Sequence, residues 1–183
     1  MPGRVDGYAI VSADGMIADA AGVMPDALKF DADRRFFEHG LDQVDVVVHG
    51  RHSHERQPHS PQRQRLILTR QVQRLAADPS NEKALLWNPA GASFEQALAA
   101  LGRSDGRVGV VGGTDVFELF LDRYDAFYLT RASGVLLPGG RPVFAEVPAR
   151  APGAVLARHG LARGRRRLLD RSSGLAVETW RRS

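Results

Sequence analysis

The chain has 183 residues, 43% hydrophobic and 25% charged, the balance of one ordinary soluble domain with a real core. It has no cysteine, which removes disulfide frameworks, thiol nucleophiles and cysteine zinc sites, and the cytoplasm is the default compartment. The net charge is +4, with lysine only at Lys29 and Lys83, so the basic character is almost wholly arginine; GC-rich coding explains such a bias, and an anionic ligand is the functional alternative.

The elements are predicted in chain order as alternating strands and helices. GYAIVSADG (7–15) reads as a first strand running into a turn at Asp14-Gly15. The start lacks the apolar stretch and small-residue cleavage site of a signal peptide. DADRRFFEHG (31–40) reads as a helix capped by Asp31, with Phe36 and Phe37 inward and Gly40 ending it. VDVVVHG (44–50), RLILT (65–69) and ALLWN (84–88) are apolar strands of the kind buried on both faces. SFEQALAALG (93–102) is a helix with Ser93 and Gln96 at capping-box spacing and Gly102 closing it.

VGVVGG (108–113) is a strand running into paired glycines. TDVFELFLD (114–122) follows as a helix with Val116, Phe117, Phe120 and Leu121 inside, and AFYLTRA (126–132) is a strand. Pro138, Pro142, Pro148 and Pro152 mark an irregular stretch. The tail (165–182) reads as two strands joined at Ser172-Ser173-Gly174, a hairpin at the sheet edge. The expected fold class is therefore α/β, one domain over 1–183. A mostly parallel central sheet is covered by helices on both faces and carries an antiparallel C-terminal edge hairpin.

Ligands of open parallel sheets bind at the carboxyl ends of strands, and three strand ends here carry anion-binding residue types. VVVHG is followed by Arg51, His52 and Ser53, RLIL by Thr69 and Arg70, and VGVV by Gly112, Gly113 and Thr114. VVGGTDVF is not the GxGxxG of dinucleotide-binding folds. A Gly-Gly turn before a helix still lets backbone approach a pyrophosphate closely. Three such strand ends suit a dinucleotide with an extra phosphate, NADPH.

Two other readings compete. His49, His52, His54 and His59 crowd into one segment, and His52, His54, Glu55 and His59 would be the zinc ligands. No HExxH or cysteine pattern supports them, and no metal is expected. RGRRRLLDR (163–171) is basic, but Arg165 and Arg167 share one strand face and Arg166 the other. No aromatic interleaves as a base platform, so a solvated edge strand is expected rather than a nucleic-acid surface. Neither does any apolar run reach the roughly 18 residues of a membrane span.

The ordered set AIVSADGMIA, Met24-Pro25, DADRRFF, VVVHGRHSHE, RLILTR, VVGGTDVFELFL and FYLTRA resembles the dihydrofolate reductase superfamily, which includes the riboflavin-pathway pyrimidine reductases. The resemblance implies a three-layer fold and NADPH-dependent hydride transfer to a pterin, dihydrofolate first, or to a ribosylamino-pyrimidine as the alternative. It implies a monomer or homodimer acting on a small molecule.

By the same resemblance, Asp33 is the acidic residue of the substrate pocket, Thr130 bonds it, and Phe37 packs on the substrate. Met24 belongs to a closing lid and Arg63 meets a substrate carboxylate. The cofactor set is Ile10, Ala18, Arg51, His52, Ser53, Thr69, Arg70, Gly112, Gly113, Thr114, Asp115 and Val116. The sequence departs from the reductases of folate at Asp26 and His54, where they keep tryptophans. SADG also resembles the site-lining SxDG of the pyrimidine reductases, and Arg34, Arg56 and Arg63 could hold the phosphate that a ribosylamino-pyrimidine substrate would carry.

Overall fold

The computed structural model describes residues 2–53 and 57–183. Its strands are β1 (Arg4–Ser12), β2 (Met16–Ala18), β3 (Val46–Gly50), β4 (Gln64–Leu68), β5 (Leu75–Asp78), β6 (Asn81–Trp87), β7 (Arg107–Val110), β8 (Ala126–Ala132), β9 (Arg141–Pro142), β10 (Leu161–Asp170) and β11 (Leu175–Arg182). Its α-helices are α1 (Asp31–Leu41), α2 (Phe94–Ala100), α3 (Thr114–Leu119) and α4 (Pro152–Arg158).

Nine strands form one sheet in the order β10-β11-β8-β1-β7-β3-β4-β6-β5. The six from β8 to β6 run parallel, and at their centre β7 and β3 are apolar and buried on both faces, as such strands usually are. β11 and β10 add the expected antiparallel hairpin. β5 adds an antiparallel strand at the opposite edge, which the sequence pattern did not reveal. β2 and β9 pair separately.

The two faces bury different clusters. On one, Phe94 and Leu98 of α2, Phe117 and Phe120 at α3, and Val155 and Leu156 of α4 pack on Val48, Leu66, Val108 and Val110. On the other, α1 lays Phe36 and Phe37 over Tyr8, Val47 and Tyr128. Tyr8 and Tyr128 are paired across β1 and β8, and their rings stack at 4.9 Å. This aromatic floor fixes where α1 sits, and hence where its first turn points.

Several expectations are corrected. Asp31 does not cap α1: the N-cap is Phe30, and Asp31 instead bonds Arg34 on the surface. Gly40 does not end the helix, which runs to Leu41. A Cβ at Gly40 would lie 2.6 Å from the Tyr8 ring, so glycine is there for close approach. The helix expected over 114–122 stops at Leu119, although Val116, Phe117, Phe120 and Leu121 are all buried. Pro152 lies inside no irregular stretch; it opens α4, where a missing N–H costs nothing. The capping box of α2 is present as read, Ser93 Oγ accepting from Gln96 N–H and Gln96 returning to Ser93 N–H.

Every one of β10's residues from Ala162 to Leu168 is exposed, with bulges on either side of its central pairs. That is the solvated, charged edge expected of this segment. Among the described residues no helix is long and apolar enough to cross a membrane.

Candidate functional site

The strand ends converge on one rim of the sheet. Thr130 of β8 is in register with Ile10 of β1, and both are buried. Asp33, in the first turn of α1, reaches over them, and its carboxylate accepts a hydrogen bond from the Thr130 hydroxyl. Asp33 is half-buried, with part of its surface open to solvent. The protein packed around it nevertheless desolvates the charge and pushes its pKa up to about 6, against the smaller lowering by Thr130. A carboxyl poised there holds a proton at mildly acidic pH and can give it up. Phe37, one turn further along α1, is half-buried with its ring edge-on to Tyr8.

A second group assembles where β3 and β7 end. Gly50 N–H donates to Gly112 O at 2.8 Å, and Ser53 N–H donates back to Gly50 O at 3.1 Å, closing a turn. Gly112 adopts φ +111°, open to glycine, and the Gly112–Gly113 peptide is cis. A Cβ at Gly113 would sit 3.4 Å from Ser53 Oγ and 4.0 Å from Ile17 Cδ1. A Cβ at Gly50 would meet Val116 at 3.4 Å. Both glycines thus keep a narrow space open between the two turns. Ser53 edges this space, and the exposed Arg51 and His52 stand in the same turn, bonded to each other at 3.1 Å. Hydroxyl, guanidinium and bare backbone around a side-chain-free cradle form a donor set that suits a pyrophosphate.

Other predicted residues are placed as follows. Thr114 spends its hydroxyl on Pro142 O of β9 at 2.6 Å, tying the start of α3 to the small second sheet. Asp115 is exposed and Val116 buried. Thr69, buried at the end of β4, accepts from Gln71 N–H, and Arg70 beside it is exposed. Ala18 is buried in β2 opposite Arg141. Met24 is exposed on the loop after β2.

Arg63 is buried, and its guanidinium donates to Asp42 Oδ1 at 3.0 Å. At least one of its donors therefore serves the C-terminal end of α1. Arg34 pairs with Asp31 at 3.2 Å, and Arg56 lies outside the described residues. The SADG motif is spent internally. Ser12 donates to Asp14 at 2.5 Å and accepts from Met16 N–H, and Asp14 accepts from Leu137 N–H. The Ser12 hydroxyl holds the Asp14 carboxyl below its usual range.

Of the residues read as zinc ligands, His54 and Glu55 lie outside the described residues. His59 donates instead to Asp42 Oδ1 at 3.1 Å. Glu38, Asp42 and His59 present ligand atoms within 4.8 Å of one another, but Asp42 already has the Arg63 charge against it. A cavity of about 380 Å³ opens beside the N-terminus of α1, between Lys29, Arg35, Leu169 and Asp170, and Asp33 does not line it.

Sequence reasoning passed over Ile17, which closes one side of the cradle. The alternation of buried Met16 and Ala18 around it was the available signal, too short to read as a strand.

No family model and no curated protein matches the sequence. Solved structures do match the fold. A riboflavin biosynthesis protein from Shewanella sp. PV-4 is 21% identical with a TM-score of 0.67, over 98% of this chain and 99% of that one. Dihydrofolate reductase from Enterococcus faecalis, complexed with NADP(H) and RAB-propyl, is 19% identical with a TM-score of 0.64, over 100% and 98%. The diaminohydroxyphosphoribosylaminopyrimidine deaminase/5-amino-6-(5-phosphoribosylamino)uracil reductase from Thermotoga maritima is 19% identical with a TM-score of 0.66. This chain is covered completely in that match and spans 57% of the larger protein. The sheet order, the placement of α1 and these three likenesses agree: the chain has the dihydrofolate reductase-like fold.

Proposed function

We propose that the protein is an NADPH-dependent reductase that transfers hydride to a C=N bond of a pterin, with dihydrofolate the first substrate to consider. The observation that carries this reading is Asp33, a half-buried carboxyl bonded to Thr130 and raised to about 6, on the same rim as the glycine-lined cradle. NADPH supplies the hydride when bound. Reduction of C=N also needs a proton on nitrogen, and a carboxyl that titrates near 6 is matched to supply it. In its ionised form Asp33 accepts from the amino and ring N–H groups of the heterocycle and orients it. Thr130 fixes the carboxylate's direction, and Phe37 offers an aromatic face.

Arg51, His52 and Ser53 at the β3 end and Gly112, Gly113, Thr114, Asp115 and Val116 at the β7 end would hold the cofactor pyrophosphate. Thr69 and Arg70 would hold its adenosine phosphate. Ile10 and Ala18 would border the nicotinamide, and Met24 would close over it. Because Thr114 gives its hydroxyl proton to Pro142, its contribution is its backbone N–H. Arg63 would reach a substrate carboxylate only with donors not given to Asp42.

A second substrate reading, the ribosylamino-pyrimidine of riboflavin synthesis, is supported by the full-length match to the Shewanella protein. Spectrophotometric NADPH oxidation with dihydrofolate, dihydropteridines and the pyrimidine, each offered alone, tests both. Turnover of dihydrofolate supports the first reading, turnover of the pyrimidine the second, and no oxidation with any of them refutes the reductase.

A further inference from the structure

His49 occupies the last strand position before the Gly50 turn and is 3% exposed. Strand alternation puts it on the face of Val47, beneath α1. An imidazole in such a place must satisfy its polar atoms. Its Nδ1 lies 2.8 Å from Gly50 O. A carbonyl oxygen only accepts, so Nδ1 carries the hydrogen and donates.

That oxygen is also the acceptor for Ser53 N–H, the bond that closes the turn. A carbonyl has two lone pairs, and here His49 takes one and Ser53 the other. The opposite side of the same residue is fixed through Gly50 N–H to Gly112 O, and Val111 N–H to Val48 O ties the strands just before it. Gly50 has no side chain to restrain rotation of the peptide that carries this oxygen. The restraint comes from the neighbouring imidazole instead.

We propose that His49 is a positioning residue for the cofactor turn. Its Nδ1–H holds the Gly50 carbonyl so that Ser53 Oγ faces Gly113 before any ligand arrives. The proposal rests on the reading of that turn as a pyrophosphate site. It adds preorganisation, which lowers the ordering cost of binding without touching the reacting atoms.

The test uses His49→Leu, which keeps apolar bulk without a donor, and His49→Asn, whose amide nitrogen falls where Nδ1 was. Amide hydrogen exchange at Ser53 is followed in the cofactor-free protein, and NADPH affinity and kcat are measured separately. The leucine variant is expected to exchange Ser53 about tenfold faster and to bind NADPH about tenfold more weakly, at unchanged kcat under saturating cofactor. Asparagine is expected to restore both.

Equal Ser53 exchange in wild type and the leucine variant overturns the proposal, as does an Nε2–H tautomer for His49 in the nitrogen NMR spectrum of the wild type. The spectrum decides even if the leucine variant does not fold. A wild type whose Ser53 exchange responds to His49 but which binds no NADPH upholds the positioning role and refutes the cofactor reading.

Discussion

Replacing Asp33 by asparagine separates what the carboxyl does for the reaction from what it costs the fold. Its pKa rises from 3.8 to about 6 on folding, so between those values the native state holds a proton that the unfolded chain has released. Stability therefore falls as pH rises through this window and the loss is complete above about pH 7. A shift of roughly two units corresponds to about 3 kcal/mol, an upper figure because Asp33 keeps part of its surface in water.

Asparagine has the same shape, can still accept from the Thr130 hydroxyl, and does not ionise. Its advantage over wild type is expected to grow by about 2 kcal/mol between pH 4.5 and pH 8. Other titrations cancel in the comparison. Urea melts of both proteins at the two pH values measure it, and thermal melts should show the gap widening by about 4–8 °C. The same substitution is expected to lower kcat by at least about 100-fold while NADPH affinity survives. A variant whose relative stability does not change with pH would refute the desolvation argument. One that turns over like wild type would refute the catalytic one.

Thr130→Val removes the hydrogen bond that restrains the Asp33 pKa, so that pKa is expected to move further up. If the protonated carboxyl is the active form, wild-type kcat/KM falls as pH rises through about 6, and the valine variant's profile is displaced to higher pH. Gly112→Ala forces a side chain onto φ +111° with its Cβ 3.0 Å from Phe117, and is expected to cost about 1–3 kcal/mol in urea unfolding. Gly113→Ala meets only ordinary contacts. It should leave that midpoint nearly unchanged while weakening NADPH binding, because its methyl occupies the cradle beside Ser53.

The parallel core was legible because β3, β4 and β7 each hold a short apolar run, at residues 46–48, 66–68 and 108–110, and α2 because its capping box is local. β5 escaped because Leu75–Asp78 is short, half-exposed and free of β-branched residues, so nothing in it announces a strand. β2 and β9 hold two or three residues each, below any periodicity. α4 was hidden by its own proline, which looks like a breaker until its position at the helix start is known.

Gly40 misled for a related reason. A glycine near a helix end reads as a stop signal, while its real constraint is the Tyr8 ring more than thirty residues earlier in the chain. The Asp33–Thr130 pair joins residues about a hundred positions apart in the chain, and only the likeness to a known family suggested it. Nothing in the sequence set His49 apart from its neighbouring histidines, because a bond to the next residue's carbonyl leaves no trace in composition.

The position of β1 has a consequence for how the chain is made. The strand leaves the ribosome well before either of its sheet neighbours, because β7 at Arg107–Val110 and β8 at Ala126–Ala132 are encoded about a hundred residues later. At typical synthesis speeds of about 5–20 residues per second, β1 waits roughly 5–25 s without either partner. Residues such as Val5 and Val11, destined for full burial, are exposed meanwhile. Slow closure of the sheet's centre and a need for protection of the nascent β1 are thus written into the strand order itself.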